Sequence, residues 1–172
     1  FAYKIGMIHQ HFKLVDVLTA TENIILGLEG KLDLKAAAEK IRQICDAYGF
    51  EIDPDQKVYD MSVSQKQTVE IVKVLYKGAD ILILDEPTAA LDPISEHDIY
   101  TKFNGIVGTR TAIYISHRLS SCRFCDEITV MDNGRIAERG SHDELLDKGG
   151  VYKELWTTQA EYYKDTAGEL YA

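Results

Sequence analysis

The sequence predicts an α/β protein in which helices pack against a largely parallel sheet. Continuous apolar runs at residues 81–85 and 111–116 indicate strands buried on both faces, which is typical of parallel sheets. A shorter apolar run at residues 3–9 adds a strand near the start of the chain. Helical periodicity recurs between these runs, so strands alternate with helices along the sequence.

The segment between the first two strands is predicted to be helical. Apolar residues repeat at helical spacing in three places, and a glycine stops each predicted helix: Gly27 stops 21–27, Gly49 stops 34–48 and Gly78 stops 64–76. The acidic stretch 51–59, which contains Pro54, predicts a loop between the last two. Residues 11–78 thus carry almost no strand signal, and we expect them to form a helical subdomain inserted into the sheet-forming core.

The second half of the chain completes the core and then becomes helical. Helices are predicted at 95–106, 119–124, 141–147 and 151–163. Asp132-Asn133-Gly134 lies between two short apolar stretches and predicts a β-hairpin turn. Ser141 and Glu144 form a capping-box pattern that marks a helix start. We therefore expect core sheet and helices at 1–10 and 79–140, with C-terminal helices at 141–172.

Composition excludes several classes of protein. The net charge of -9 argues against a general nucleic-acid binder, so we expect no nucleic acid among the partners. No apolar run approaches the roughly 18 residues of a membrane-spanning helix, and no signal peptide opens the chain. A role at a membrane would therefore require a membrane partner. The CxxC pair Cys122 and Cys125 has no second pair to complete a zinc site, so we expect two structural thiols.

Polar residues follow each predicted strand of the sheet. They are Gln10 after the first strand, Asp85 and Glu86 after the second, and His117 after the third. Ligands of open α/β sheets bind at the carboxyl ends of the strands, so these side chains are expected to converge. Asp85 could hold Mg²⁺ of a nucleotide, and Glu86 could orient or deprotonate a water. For the acids taken alone, solvated carboxylates at a strand end remain the alternative.

Five short motifs occur in a fixed order. Gln10 follows the first strand, MSVSQ spans 61–65, ILILDE spans 81–86, AALD spans 89–92 and YISH ends at His117. In this order they resemble the Q-loop, signature motif, Walker B, D-loop and H-loop of the ATP-binding subunit of ABC transporters. The resemblance runs over nearly all 172 residues. It implies a partial P-loop NTPase (RecA-like) core with a mostly parallel sheet and a helical subdomain.

The resemblance also implies a role for each motif residue. Glu86 would be the general base, with Asp85 and Gln10 supporting Mg²⁺ and His117 contacting the γ-phosphate of ATP. The signature residues Ser62, Val63, Ser64 and Gln65 would present helix N–H groups to a phosphate bound by a second ATP-binding domain. Asp92 would reach across that dimer. A transmembrane permease would hold the subunit peripherally at the cytoplasmic face of the cell membrane.

The sequence departs from the family pattern in two ways. The phosphate-binding loop G-x-x-x-x-G-K-[ST] is absent, and no lysine precedes Ser or Thr. In the family that loop precedes the Q-loop, so we expect N-terminal truncation, partly uncovered apolar faces at 81–84 and 111–116, and an isolated chain that neither binds ATP tightly nor hydrolyses it. Val63 and Ser64 also replace the signature glycines. Val63 recurs in one importer branch of the family, whereas Ser64 and the missing loop leave a degenerate, non-hydrolysing domain as an alternative.

The two halves of the chain resemble different branches of the family. Residues up to about Asp85 resemble importers of simple sugars and nucleosides, whereas residues after Pro93 resemble exporters of peptides, lipids or drugs. A mosaic, natural or made by joining two reads, and an unusual single lineage are both open. We expect an ATPase subunit that couples hydrolysis to solute import, with an exporter ATPase as the alternative. A non-transport protein acting on DNA or ribosomes is disfavoured by the acidic charge.

Overall fold

The structure is a computed structural model that describes residues 3–88, 91, 93–108 and 110–169. Side chains are described in the same ranges, except those of 93, 94, 97, 104 and 162–169. The chain divides into two compact units, Phe1–Ile115 and Ser116–Ala172. Each unit has its own hydrophobic core.

The first unit follows the predicted order of helices and strands. Its elements are β1 (Ile5–Ile8), α1 (Ala20–Ile25), α2 (Leu34–Tyr48), a 3₁₀ turn (Val58–Asp60), α3 (Val63–Tyr76), β2 (Ile81–Asp85), α4 (Pro93–Val107) and β3 (Thr111–Ile115). Gly49 ends α2 in the left-handed conformation at φ 69°, as the glycine signal predicts. The 3₁₀ turn lies at the end of the segment predicted as a loop, and α3 begins one residue earlier than predicted.

The three strands form one parallel sheet in the order β1-β2-β3. Ile8 pairs with Leu84, and Asp85 pairs with Ile115, so the carboxyl ends of all three strands lie along one edge. The predicted parallel sheet is therefore confirmed. This edge is where Gln10, Asp85 and Glu86 leave the strands.

The two faces of this sheet differ in burial. Ile8, Leu82 and Leu84 point to one face and are at most 1% exposed, beneath the helices of the unit. The alternate residues point to the other face, and the outermost of these are 38% to 50% exposed: Ile5, Met7, Ile113 and Ile115. The expectation that β3 is buried on both faces is wrong, because nothing described covers its second face. The expectation of a partly uncovered apolar face is confirmed there.

The covered face is closely packed around Gly6 in β1. A Cβ atom at this position would lie 2.1 Å from Val74 Cγ1 and 2.9 Å from Ala79 Cβ. Both distances are shorter than carbon atoms tolerate, so α3 and the residues just before β2 approach β1 only because position 6 has no side chain. The short strand β1 is thus packed directly against the helix that carries the signature-like motif.

The second unit is a hairpin with three helices. Its elements are α5 (Leu119–Cys122), β4 (Ile128–Asp132), β5 (Arg135–Gly140), α6 (His142–Lys148) and α7 (Val151–Glu169). Asn133 and Gly134 take positive φ values of 47° and 75°, which confirms the predicted turn. The capping box of Ser141 and Glu144 is also confirmed. Helix α7 continues six residues beyond the predicted end, and no described helix has the length and apolar composition to cross a bilayer.

Candidate functional site

Two strand ends of the first unit bring an amide and a carboxylate together. Gln10 and Glu86 each lie two residues beyond the paired residues Ile8 and Leu84, so both emerge at the same edge. Gln10 Nε2 donates a hydrogen bond of 3.1 Å to Glu86 Oε2. The predicted convergence of these two strand ends is therefore present in the structure, across 76 residues of sequence.

The backbone of Glu86 has an uncommon conformation. Its φ is 45°, in the left-handed region that few residues other than glycine adopt. Its N–H donates to the carbonyl of Ile115 at 2.9 Å, which ties the first residue after β2 to the end of β3. Such strain persists where surrounding structure enforces it, and it is concentrated at functional sites. The turn directs the Glu86 carboxylate towards Gln10 instead of continuing the strand.

A buried hydrogen-bond network lies just beyond this turn. Thr88 Oγ1 donates to Glu96 Oε1 at 3.0 Å and lies 3.0 Å from Tyr100 Oη. All three side chains are buried, with exposures of 2%, 9% and 5% respectively. A buried carboxylate requires hydrogen-bonding partners to offset its loss of water, and Thr88 supplies one. The network therefore connects the Glu86 turn to α4.

The oxygen donors at this edge suit magnesium. Asp85 is the last residue of β2 and is half-buried, while Gln10 and Glu86 supply further oxygen atoms. Within the described ranges no group of three His, Cys, Asp or Glu side chains forms a complete cation site. Mg²⁺ commonly uses one or two protein oxygens and takes its remaining ligands from phosphate and water. Asp85 and Gln10 could therefore hold a magnesium ion that arrives with a nucleotide.

The signature-like motif forms the start of α3. Ser62 is the N-cap, and its Oγ accepts a hydrogen bond of 3.2 Å from the N–H of Gln65. Gln65 Oε1 in turn accepts a hydrogen bond of 2.9 Å from the N–H of Ser62, which completes a capping box. Val63 is 43% exposed at the first helical position, followed by Ser64. The positive end of a 14-residue helix thus lies at the motif, where the Ser62 and Gln65 side chains each accept from the other residue's backbone N–H.

His117 belongs to the second unit, where its backbone is held by α7. Gln159 Nε2 donates to the carbonyl of His117, and Gln159 Oε1 accepts from the N–H of Leu119 at 3.0 Å. Ser121 Oγ donates to the carbonyl of Arg118, which closes the intervening turn. The His117 side chain is exposed. Its placement beside Glu86 remains a prediction, and Asp92 lies outside the described residues.

The cysteine pair lies against the small core of the second unit. Burial raises the pKa of the Cys122 thiol, and burial followed by the nearby Cys122 and Asp126 raises the pKa of Cys125 to about 11. Both side chains are half-buried and pack on the cluster around Tyr152. Reactive thiols have lowered pKa values, so these two behave as packing residues.

Some residues that shape this site were missed by sequence reasoning. No motif marks Thr88, Glu96 or Tyr100, because their meeting depends on where α4 lies after the Glu86 turn. The S-x-x-Q pattern of Ser62 and Gln65 did carry a usable signal, since it matches the capping-box rule applied at Ser141. Glu70 in α3, whose carboxylate is buried, had no signal beyond its place in an amphipathic helix.

Comparison with curated proteins finds relatives of both transport directions. The nucleoside import ATP-binding protein NupA of Lactococcus lactis is 47% identical over 137 residues, covering 76% of this chain and 27% of that protein. An ATM1-type heavy metal exporter of Novosphingobium aromaticivorans is 39% identical over 145 residues, covering 80% of this chain and 24% of that protein. The chain thus spans about a quarter of the length of these relatives.

A solved structure and a family model lead to the same assignment. The structure of a bacterial Atm1-family ABC exporter with ATP bound matches with a TM-score of 0.72 and 35% identity, covering 92% of this chain and 29% of that one. This match confirms the predicted α/β fold class. The family model described as ABC transporter matches residues 1–89, just over half of the 172 residues. The chain therefore belongs to the ABC transporter family.

Proposed function

We propose that this chain is an ATP-binding, ATP-hydrolysing part of an ABC transporter, which couples hydrolysis in a dimer to solute transport. The observation that carries the proposal is the hydrogen bond between Gln10 Nε2 and Glu86 Oε2 at the edge where Asp85 ends β2. An amide donor aligned on a carboxylate beside a second acid is the arrangement expected around a water that must be oriented and deprotonated.

Each predicted site residue has a role in the proposal. The Glu86 carboxylate accepts the proton of the attacking water, and the Gln10 amide fixes the direction of that carboxylate. Asp85 and Gln10 hold the magnesium ion of the nucleotide, and His117 contacts the γ-phosphate. When bound, magnesium neutralises phosphate charge. The strained backbone of Glu86 supports these roles, because it fixes the carboxylate direction before any ligand arrives.

A second ATP-binding domain would complete the site. Ser62, Val63, Ser64 and Gln65 lie at the N-terminus of α3, where helix N–H groups favour an anion such as the partner's bound phosphate. Asp92 would act across the same interface. In this proposal the chain has a core at 1–10 and 79–140, a helical subdomain at 11–78 and C-terminal helices at 141–172.

A transmembrane permease is the other proposed partner. A cavity of about 340 Å³ lies beside Gln10 and is lined by Gln10, His11, Phe12, Leu14, Asp16 and Lys66. Its mixed polar and apolar lining suits a protein segment, and its position would connect that segment to the site residue Gln10. This contact would place the chain peripherally at the cytoplasmic face of the cell membrane.

Import of a nucleoside or simple sugar is the direction we propose, on the strength of the 47% identity to NupA. Export is the second candidate, because the Atm1-family exporter structure covers 92% of this chain. Genomic DNA on the 5′ side of codon 1 separates the two. An exporter reading frame there encodes membrane helices in the same polypeptide, whereas an importer frame encodes a further part of an ATP-binding protein.

Hydrolysis is tested by supplying the phosphate-binding loop that this sequence does not contain. The chain is joined to the upstream P-loop segment of the NupA relative, and phosphate release is measured with ATP and Mg²⁺. Glu86→Gln keeps the size and one acceptor oxygen but removes the base, so we expect the rate to fall by about a hundredfold or more while ATP still binds.

The matched control for this test is Glu51→Gln, which changes an exposed acid of the loop before the 3₁₀ turn. It should leave phosphate release unchanged. If Glu86→Gln releases phosphate as fast as the unmodified fusion, Glu86 is not the general base. If the unmodified fusion binds ATP without releasing phosphate, the degenerate-domain alternative is supported instead.

A further inference from the structure

Two side chains of α3 hold the peptide groups of a single residue in the segment after β1. Glu70 Oε1 accepts a hydrogen bond of 2.7 Å from the N–H of Lys13. Lys73 Nζ donates a hydrogen bond of 3.1 Å to the carbonyl of Lys13. Glu70 and Lys73 lie one helical turn apart and 3.9 Å from each other. We call this arrangement the Lys13 clamp.

The Lys13 clamp is unusual because its acid is buried. Glu70 is only 3% exposed, and the Lys73 side chain is 16% exposed. Removing a carboxylate from water has a large free-energy penalty unless charge and hydrogen bonds compensate it. The N–H of Lys13 and the ammonium of Lys73 supply that compensation, and hydrogen bonds to ionised groups are short and strong. The Lys13 N–H is therefore one of the groups that stabilise this buried carboxylate.

The clamped residue lies three positions beyond Gln10. The segment that begins at Gln10 is held at Lys13 by the clamp and again at Asp16, whose carboxylate lies 3.4 Å from Lys66 Nζ. All three holding side chains belong to α3, the helix that begins with the signature-like motif. Gln10 itself is exposed and contacts Glu86 through one hydrogen bond of 3.1 Å. Its reach to Glu86 thus depends on where α3 holds the following residues.

We infer that Glu70 and Lys73 are positioning residues that hold Gln10 at Glu86 by clamping the Lys13 peptide groups to α3. The catalytic meaning of this positioning rests on the proposed function. The clamp itself is a property of the ligand-free chain and can be measured without nucleotide.

The test uses the full 172-residue chain labelled with ¹⁵N and studied by NMR. Two signals are followed: hydrogen exchange of the Lys13 amide and the side-chain amide shift of Gln10. Glu86→Ala gives the reference chemical shift of a Gln10 side-chain amide that has lost its hydrogen-bond acceptor. In Glu70→Leu, which keeps the buried volume, we expect Lys13 exchange to accelerate about tenfold and the Gln10 signal to move towards the Glu86→Ala position.

Two further variants separate positioning from general packing. Glu70→Gln retains an oxygen that accepts from Lys13, so both signals should stay close to wild type. Glu39→Gln, on the exposed face of α2, is the matched charge control and should change neither. A wild-type Gln10 signal in Glu70→Leu would overturn the inference. So would a Glu70→Gln variant as disruptive as Glu70→Leu.

If Glu70→Leu does not fold, a variant of the partly exposed Lys73 provides the test instead. Lys73→Met keeps the aliphatic stem and removes the donor to the Lys13 carbonyl. We expect faster Lys13 exchange and a smaller shift of the Gln10 amide in the same direction. Unchanged signals in a folded Lys73→Met would refute the clamp. The phosphate-release assay is independent, so a failure there contradicts the proposed function and leaves the clamp result standing.

Discussion

The two faces of the parallel sheet are made of the same kinds of residue and have different surroundings. On the covered face, Leu82 and Leu84 are 1% and 0% exposed, whereas on the open face Ile113 and Ile115 are 50% and 49% exposed. Neighbouring residues of one sheet thus contribute unequally to folding. The size of an aliphatic side chain limits how much it can stabilise the fold. How far that side chain is buried decides how much it does stabilise the fold.

The open face is an apolar surface of the kind that parallel sheets ordinarily bury on both sides. Its members come from both edge strands, so the exposed side chains Ile5, Met7, Ile113 and Ile115 extend across the whole sheet. A contiguous apolar surface of this kind favours association. The difference between the faces can be measured directly by substituting one residue on each.

The largest expected effect is on the covered face. Leu84→Ala should lower the free energy of unfolding by about 3 kcal/mol, because it removes a fully buried side chain and leaves a cavity. Ile115→Ala, on the open face, should lower it by less than about 1 kcal/mol, because half of that side chain already meets water. Urea unfolding followed by circular dichroism measures both.

The same pair of variants also reports on the open face. Binding of a hydrophobic dye to the folded chain should decrease in Ile115→Ala and stay constant in Leu84→Ala. Equal losses of stability in the two variants would mean that the open face is covered in solution, for example by self-association. Sedimentation at two protein concentrations would then identify the association.

The next largest effect is expected at Gly6. Gly6→Ala should lower the free energy of unfolding by about 2 kcal/mol, because its Cβ would overlap Val74 on the covered face. Gly105→Ala is the matched control in α4, where an added Cβ meets nothing within 4 Å. That substitution should stabilise the chain by about 1 kcal/mol through helix propensity. An unchanged free energy of unfolding in Gly6→Ala would show that α3 can move away from β1 without loss of stability.

The smallest effect concerns alkaline pH and the thiol of Cys45 in the core of the first unit. Burial, and then the nearby Asp46, raises the pKa of Cys45 from 9.0 to about 11. The folded state therefore keeps a proton that the unfolded state loses, so stability is fully present below about pH 9 and is lost as pH rises towards 11. Cys45→Ala should reduce the loss in unfolding free energy between about pH 8 and about pH 10.5.

This pH effect must be separated from the second unit. There, burial raises the pKa of Cys125 to about 11 and that of Tyr152 to about 12. These groups therefore also lower the free energy of unfolding as pH rises. Cys125→Ala is the matched control, since it removes one such thiol from the second unit and leaves the first unchanged. An identical pH profile for wild type and Cys45→Ala would contradict the burial of this thiol.

Local signals in the sequence predicted most of the elements, because those signals act over a few residues. Gly49 ended α2 where expected, the Ser141 capping box began α6, and Asn133-Gly134 made the hairpin turn. The site edge was also predictable in outline, since the strand ends at Gln10 and Asp85 are adjacent in any parallel sheet of this order. These inferences needed only periodicity, backbone preference and the geometry of parallel strands.

Long-range contacts were not predictable in the same way. The Lys13 clamp joins residues 57 positions apart, and the Thr88 network depends on where α4 lies after a turn. Neither has a sequence pattern, because a buried Glu or Thr has the same letter as an exposed one. The burial of Glu70 on α3 is visible only once the segment after β1 lies against it.

The sequence by itself determined which residues form strands and helices, and which polar side chains stand at strand ends, because these follow from short-range sterics and hydrophobic spacing. Only the tertiary structure decided that Gln10 meets Glu86, that Glu70 holds Lys13, and that one face of the sheet is open. Those outcomes depend on distances between segments far apart in the chain, which no local preference encodes.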